Sequence, residues 1–157
     1  MHNLDHKQFI FFNAWLFRTK CNFSIKHDAI KFQKIIEVEW ADMDASNHAN
    51  NLSYLKWAET VRVAYIMKLN GGYLKNEDNV GPVVAWQDCK YIKPINFPDR
   101  IRVEVAQKIV EDDRIRITMN MYSISQNRLV AISNQEVVSY DFKRKMKVGL
   151  PFKWITG

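Results

Sequence analysis

The sequence contains few of the residue types that mark disulfide-rich, metal-binding or disordered proteins. It has only two cysteines, Cys21 and Cys89, and no Cys-x-x-Cys pair. These residues offer neither a disulfide framework nor a zinc site, and we expect a reducing, cytoplasmic location. Glycine (5) and proline (4) are scarce in the 157 residues, while hydrophobic residues reach 47%. This composition excludes collagen-like and low-complexity chains and indicates one globular domain with a hydrophobic core.

The sequence also lacks an apolar run long enough to cross a bilayer. The apolar stretch Phe9–Phe17 has nine residues, whereas a membrane-spanning helix needs about 20. Asp5 before this stretch and the basic segment after it do not fit a secretory signal. We predict no stable membrane span and interpret residues 1–31 as an N-terminal extension, with membrane association through its aromatic patch as the minor alternative. Residues 32–157 form the predicted domain.

The net charge of +6 is spread along strand-like segments. Basic residues alternate with apolar ones at Arg100 and Arg102 and again at Arg114 and Arg116. Such alternation is typical of the solvated face of a sheet, and it can also attract an anionic ligand. Because the sequence has no helix-turn-helix, zinc-finger or RNA-recognition signature, we expect no nucleic acid partner. A ligand that carries a polyphosphate is compatible with this charge.

The hydrophobic period changes near residue 50. Ile36, Val38 and Trp40 alternate with acidic residues, which predicts a half-buried strand. From Asn51 onward, apolar residues recur at helical spacing, which predicts a long amphipathic helix. Asn70-Gly71-Gly72 is a signal for the end of that helix. The residues predicted to form its buried face are Tyr54, Ala58, Val61 and Tyr65.

Beyond Pro82 the sequence alternates between strand-like runs and turn residues. Four strands are predicted, and the segments that separate them are Asn96–Asp99, Glu111–Asp113 and Ser125–Arg128. Short hairpin links make these strands antiparallel, and the long helix can bury its apolar face across their sheet. The predicted fold is of the α+β class, with an antiparallel sheet wrapped around one central helix.

The densest group of reactive side chains lies where the first strand gives way to the helix. Asp44, His48, Asn50 and Asn51 fall within this break. The first amides of a helix have no intrahelical acceptor, and the helix dipole favours negative charge beside them. A carboxylate next to such a helix start could bind and polarise an oxygen atom. Taken alone, Asp44 is more typical of a turn or an N-cap residue.

This run resembles the signature of the hotdog-fold thioesterases of the 4-hydroxybenzoyl-CoA thioesterase family. That signature is an aspartate, often in Asp-x-Asp, then Gly-His-Val-Asn-Asn or a variant, then a helix with a tyrosine. The matching residues are Asp42-Met-Asp44-Ala-Ser-Asn47-His48-Ala-Asn50-Asn51-Leu-Ser-Tyr54, followed by Tyr91-Ile-Lys-Pro94, Pro98-Asp99 and Val137–Asp141. The resemblance covers roughly residues 32–152 and implies a hotdog-fold acyl-CoA thioesterase. Such an enzyme hydrolyses a fatty or aromatic acyl-CoA to a free acid and CoA, without a metal or redox cofactor.

The resemblance also implies roles for individual residues. Asp44 aligns with the family's catalytic carboxylate, which acts either as a nucleophile on the thioester carbonyl or as a base for water. The backbone N–H of Asn51 aligns with the donor that polarises that carbonyl. His48 and Asn50 are expected to order the loop and its bound water. The residues expected to bind the substrate are Tyr54, Trp57, Lys90, Lys93 and Arg128.

Two positions depart from the family pattern. Asn47 stands where the family often has glycine before His48, and Asn tolerates a left-handed backbone better than most residues. Ala49 replaces the usual valine, which makes one apolar wall of the expected acyl pocket smaller. Asp42 is expected to be structural, because it shares a strand face with Asp44 only if the strand extends that far.

Several other functions use similar residues. Haloacid-dehalogenase phosphatases also carry Asp-x-Asp after a strand, but they need an alternating α/β pattern that the region beyond Pro82 lacks. A hotdog dehydratase would pair His48 with Glu59, yet the proline- and glycine-rich context of such pairs is missing, and Glu59 can form an ion pair with Arg62. A carrier-protein thioesterase and a non-catalytic acyl-CoA-binding protein stay open.

The resemblance finally implies an oligomer. A single hotdog sheet leaves one edge and much of its helix uncovered, and burial of these surfaces requires a partner. We therefore expect a homodimer or a homotetramer with the sites at the subunit interface.

Overall fold

The computed structural model describes residues 30–156. In chain order its elements are β1 (Phe32–Glu37), α1 (Asn51–Leu69), β2 (Val80–Tyr91), β3 (Arg100–Glu111), β4 (Arg114–Ser123), β5 (Arg128–Asp141), β6 (Met146–Lys147) and α2 (Phe152–Thr156). Of the predicted N-terminal extension, residues 1–29 lie outside the described part of the chain, so this prediction stays a prediction.

The strands form one antiparallel sheet with the order β1-β3-β4-β5-β2, and β6 pairs with the end of β5. The turns at Glu111–Arg114 and Ser123–Arg128 join neighbouring strands, as the sequence predicts. Although β3 follows β2 in the chain, β2 pairs by hydrogen bonds with β5. It therefore forms one outer edge of the sheet, and β1 forms the other. The α+β class and the antiparallel arrangement are confirmed.

The alternation of apolar residues along β3 and β4 decides which face of the sheet carries the core. Ile115, Ile117, Met119 and Met121 are fully buried, while the residues between them are partly exposed. Ile101, Val103 and Val105 repeat this pattern on β3. Burial of each such side chain stabilises the fold by about 1.5–3 kcal/mol. The inner face of the sheet is therefore apolar, and α1 packs across it.

Helix α1 begins and ends where the sequence signals indicate. The side chain of Asn50 caps its first turn, since Oδ1 accepts a hydrogen bond from the Leu52 amide at 2.9 Å. At its C-terminal end, Gly71 adopts a left-handed φ of +71°, and the Gly72 amide donates to the Met67 carbonyl. The predicted buried residues of α1 are all buried, and Trp57 and Ile66 join them.

A polar contact also lies inside the helix–sheet interface. Arg62 is nearly buried, and its guanidinium donates to Gln135 Oε1 on β5 at 3.0 Å and contacts Glu59 at 3.4 Å. Burial lowers the pKa of Arg62, and the Glu59 carboxylate partly offsets this effect. The predicted ion pair between Glu59 and Arg62 is therefore present.

Two local predictions are wrong. The first strand ends at Glu37 instead of continuing through Trp40, because residues Trp40–Asp42 form a 3₁₀ turn and leave Trp40 76% exposed. The buried carboxylate of Asp42 closes this turn by accepting from the Glu39 amide at 3.0 Å. The prediction that only strands and turns follow Pro82 is also wrong, because the short helix α2 forms there. Five residues are too few to show a helical period.

Candidate active site

The loop between the 3₁₀ turn and α1 is a tight turn closed by its own backbone. The Asp44 amide donates to the His48 carbonyl at 2.8 Å, and the Asn47 amide donates to the Asp44 carbonyl at 3.0 Å. This geometry requires Asn47 to adopt a left-handed φ of +59°. Asn adopts a left-handed backbone with less strain than most residues. The prediction that Asn47 can replace the family's glycine at this position is therefore confirmed.

Three hydrogen bonds fix this loop to the rest of the domain. The Ala49 amide donates to the Ile95 carbonyl at 2.8 Å, and Asn96 Nδ2 donates to the Asn47 carbonyl at 2.7 Å. The Asn50 amide donates to the Asp42 carbonyl at 2.8 Å. The loop is thus held from both sides, by the 3₁₀ turn and by the segment that follows β2.

Asp42 and Asp44 have different surroundings. Asp42 is buried, with 3% of its surface exposed, and its carboxylate accepts from the Glu39 amide and contacts Lys56 Nζ at 3.4 Å. Asp44 is exposed, and its Oδ1 accepts from the Ser46 amide at 2.7 Å and from the His48 amide at 3.4 Å. Within residues 30–156 both donors reach the same oxygen, which leaves Oδ2 available for a ligand.

The start of α1 presents one backbone donor without an acceptor. Asn50 occupies the other two amides of the first turn, since its Oδ1 accepts from Leu52 and its carbonyl accepts from Ser53 at 2.9 Å. In the part of the chain that the structure describes, the Asn51 amide donates to no protein group. A free N–H group of this kind at a helix N-terminus can donate a hydrogen bond to a carbonyl oxygen or to an anion.

Asp44 and Asn51 line the same cavity, which has a volume of about 360 Å³. Ala49 and Tyr54 contribute to its walls, together with residues Tyr91–Pro94 at the end of β2. The rings of Tyr54 and Tyr91 lie edge to face, with 5.1 Å between their centroids. One cavity is therefore lined by the residue that carries the Asp44 carboxylate, by Asn51 at the helix start and by two tyrosines.

The two tyrosines also make polar contacts beside this cavity. The Tyr54 hydroxyl donates to the Lys93 carbonyl at 3.5 Å, and the Tyr91 hydroxyl donates to the Asn51 carbonyl at 3.4 Å. Burial raises the pKa of Tyr54 to about 12. Its phenol therefore stays protonated near neutral pH and acts as a donor.

The structure brings some of the predicted site residues together and separates others. Tyr54 and Lys93 line the cavity with Asp44 and Asn51. Asn50 supports the helix start, and the amide of His48 supports Asp44, although the His48 residue is exposed and outside the cavity wall. Their catalytic roles stay predictions.

Three predicted substrate-binding residues do not line this cavity. Trp57 is only 2% exposed and packs behind Tyr54, with 5.1 Å between the two ring centroids. Lys90 is exposed on the opposite face of β2 from Tyr91, because side chains alternate along a strand. Arg128 borders a separate hollow beside Arg102.

Tyr91, Ile92 and Pro94 line the cavity, but the sequence did not predict a site role for them. These residues matched the family pattern, but nothing in their spacing shows that the end of β2 approaches the start of α1. Pro94 does not mark the end of β2 either, because β2 is an outer strand that already contains Pro82.

Within residues 30–156, no group of three or more His, Cys, Asp or Glu side chains is arranged to hold a metal ion. No helix in the same range is both long and apolar enough to cross a membrane.

The geometry can now be compared with known proteins. Residues 38–155 match the family model of the thioesterase-like superfamily. The chain belongs to this superfamily. The resemblance to the hotdog-fold thioesterases is thereby confirmed at the level of the family, and the α+β hotdog fold is confirmed with it.

Several solved structures have the same fold as this chain. The PA2801 protein of Pseudomonas aeruginosa is 24% identical, with a TM-score of 0.71 over 78% of this chain and 93% of that one. A 1,4-dihydroxy-2-naphthoyl-CoA thioesterase from Synechocystis is 16% identical, with a TM-score of 0.71 over 80% of this chain and 93% of that one. A DHNA-CoA thioesterase from Staphylococcus aureus is 19% identical, with a TM-score of 0.65 over 75% of this chain and 79% of that one.

One relative was found by sequence. The protein YsmA of Bacillus subtilis is 27% identical over 82 residues, which are 52% of this chain and 54% of YsmA. The matched region thus spans about half the length of that relative.

Proposed function

We propose that the protein is an acyl-CoA thioesterase that hydrolyses a fatty or aromatic acyl-CoA to a free acid and CoA. The observation that carries this proposal is that Asp44 and Asn51 line the same cavity, with no acceptor for the Asn51 amide among residues 30–156. Membership of the thioesterase-like superfamily supports the reaction class.

In the proposed mechanism, the thioester carbonyl oxygen accepts a hydrogen bond from the Asn51 amide. Negative charge develops on this oxygen as the carbonyl carbon becomes tetrahedral, and the N-terminal end of the α1 dipole stabilises it. A single donor of this type accelerates acyl transfer by about 10²–10³. The amide needs no reorientation, because the cap at Asn50 already fixes the first turn.

Asp44 has two possible roles, and both give the same products. As a nucleophile, its carboxylate attacks the carbonyl carbon, CoA leaves as a thiolate that takes up a proton, and water opens the resulting mixed anhydride. As a base, it removes a proton from water while that water attacks the carbonyl carbon; the tetrahedral intermediate then breaks its C–S bond, and the CoA thiolate takes up the proton from Asp44. The Ser46 and His48 amides would orient the carboxylate in either case. The side chains of His48 and Asn50 keep supporting roles in the loop.

The cavity walls support an acyl group with an apolar or aromatic body. Tyr54 and Tyr91 form an aromatic wall, and Ala49 leaves more room than a larger apolar residue would. Two of the structurally similar proteins are named as a 1,4-dihydroxy-2-naphthoyl-CoA thioesterase and a DHNA-CoA thioesterase. Lys93 lies at the cavity and is the best placed of the predicted cations to meet a CoA phosphate, with Lys90 and Arg128 farther out on the surface.

We also propose that the active form is a homodimer or homotetramer assembled along β2. In the described residues 30–156, β2 lies at the end of the main strand order, paired on one side with β5. Val83, Trp86, Tyr91 and Ile92 leave apolar surface exposed along or just after this strand. An open apolar edge of this kind favours pairing with a second copy. Since Tyr91 and Ile92 also line the cavity, the site would then lie at the interface.

The experiment that tests this function is a free-thiol assay with the purified full chain. The substrates are straight-chain acyl-CoAs of increasing length, benzoyl-CoA and hydroxybenzoyl-CoA, and the same acyl groups on a phosphopantetheine carrier protein. Release of CoA thiol from at least one acyl-CoA is expected. Hydrolysis of carrier-protein thioesters alone would replace the CoA proposal with the carrier-protein alternative. Saturable acyl-CoA binding without thiol release would indicate a binding protein instead of an enzyme.

A further inference from the structure

Tyr91 connects the end of β2 to the start of α1. Its hydroxyl donates to the Asn51 carbonyl at 3.4 Å, and its ring packs edge to face against Tyr54. The residue lines the cavity and remains 47% exposed. None of the proposed chemical steps uses this side chain, although it contacts the residue whose amide would polarise the thioester.

We infer that Tyr91 is a positioning residue, which holds Asn51 so that its amide faces the substrate carbonyl. This inference rests on the proposed thioesterase function. It assigns to Tyr91 an effect on the reaction through Asn51, without contact between the Tyr91 hydroxyl and the reacting atoms.

The hydrogen-bond capacity of Asn51 makes this contact possible. A carbonyl oxygen has two lone pairs, and the helix ladder uses only one of them. The Tyr91 hydroxyl can therefore add a second donor to the Asn51 carbonyl without breaking the helix. Burial raises the pKa of Tyr91, so its hydroxyl keeps the proton that this contact needs at neutral pH.

The segment that carries Tyr91 is itself well anchored. The amides of Ile92 and Lys93 both donate to the Val130 carbonyl on β5, at 2.8 and 3.1 Å. Farther along the same segment, the Ile95 carbonyl accepts from the Ala49 amide of the active-site loop. Tyr91 thus links a helix end, where helices tend to fray, to the outer strand β2, which pairs with β5.

The first test compares Tyr91→Phe with wild type on an acyl-CoA that the wild type hydrolyses. We expect kcat to fall about fivefold to tenfold, which corresponds to the loss of one hydrogen bond, while KM stays within about twofold and the unfolding temperature is unchanged. Tyr140→Phe is the matched control, because this variant also loses one tyrosine hydroxyl. Tyr140 lies on β5, and its ring packs against Phe142. The control variant should leave kcat unchanged. A wild-type kcat in Tyr91→Phe, or a rise in KM alone, would overturn the positioning role.

The second test measures polarisation directly and needs no turnover. A ¹³C-carbonyl benzoyl-CoA is bound to Asp44→Asn and to Asp44→Asn/Tyr91→Phe, and the carbonyl stretch is recorded by infrared difference spectroscopy. We expect the stretch to be lowered on binding to the single variant and to move back toward its free value in the double variant. Equal stretches in the two complexes would contradict the inference even if wild type is an active thioesterase. Absence of hydrolysis by wild type would contradict the proposed function instead.

Discussion

Asp42 and Asp44 show how the surroundings of a residue decide what the same side chain does. The Asp42 carboxylate lies in the protein and closes a backbone turn, whereas the Asp44 carboxylate reaches a cavity with one oxygen available. The two residues are separated by a single methionine. Of the two, only Asp44 lines the cavity, and for this reason we assign the proposed chemistry to Asp44 alone.

Asp99 gives a residue-scale prediction for the pH dependence of stability. Burial alone would raise the pKa of Asp99, but hydrogen bonds from the Ser123 hydroxyl and from the Ser125 and Arg100 amides outweigh it and lower the pKa. A carboxylate with a lowered pKa in the folded state stabilises the fold above its unfolded pKa, and this contribution is lost as the pH falls through the folded value.

We therefore expect the stability difference between wild type and Asp99→Asn to be largest near pH 6 and to shrink toward pH 3. Chemical denaturation at a series of pH values measures it. Asp78→Asn is a suitable control, because Asp78 is exposed in the loop before β2. A difference that stays constant from pH 6 to pH 3 would contradict the ionic role of Asp99.

At the scale of elements, periodicity made most of the fold predictable. Local sequence predicts the start of α1, its end at Asn70 and the four strands β2 to β5. It does so because caps, turns and alternation act over a few residues. The 3₁₀ turn at Trp40 did not follow, because it depends on the burial of one carboxylate. The approach of Tyr91 to Asn51 did not follow either, because it depends on a contact between elements 40 residues apart in sequence.

Helix α2 packs where α1 ends, whereas the candidate active site lies at the start of α1. The ring of Trp154 is fully buried, and its Nε1 donates to Asn70 Oδ1 at 2.9 Å, just after the C-terminal end of α1. The Trp154 carbonyl accepts from Gln107 Nε2, whose side-chain oxygen in turn accepts from the Tyr65 hydroxyl at 3.0 Å. This network joins α2 to both the sheet and the long helix.

We expect Trp154→Ala to lower the free energy of unfolding by about 3–5 kcal/mol, the usual cost of removing a buried tryptophan. Trp154→Phe keeps most of the apolar volume but leaves Asn70 Oδ1 without this donor, and we expect a loss of about 1–3 kcal/mol. Urea denaturation measures both values. If either variant that remains folded lost kcat selectively, the separation between this end of the domain and the active site would be wrong.

At the scale of the whole molecule, β2 has one side without a partner strand among residues 30–156, and this side predicts self-association. We expect the purified protein to have a molar mass of about two or four times 18.6 kDa at micromolar concentration. The double variant Val83→Lys/Trp86→Lys places charges along this edge, and like charges oppose the pairing of two copies. Its mass should therefore fall toward that of a monomer in light scattering.

Ile109→Lys is the control for this prediction. Ile109 is also exposed, but it lies near the β3–β4 turn and away from the open side of β2. Its mass should equal that of wild type. A wild-type protein that stays at 18.6 kDa across the concentration range would contradict assembly through β2.

The rate of thiol release by Asp44→Asn tests the proposed catalytic role of Asp44. Asn has nearly the same shape as Asp but cannot act as a nucleophilic carboxylate or as a base. We predict that the variant folds and binds acyl-CoA like wild type, with kcat lower by about two orders of magnitude or more, whereas Asp78→Asn retains wild-type kcat. Equal kcat values for wild type and Asp44→Asn would contradict the assignment of the active site.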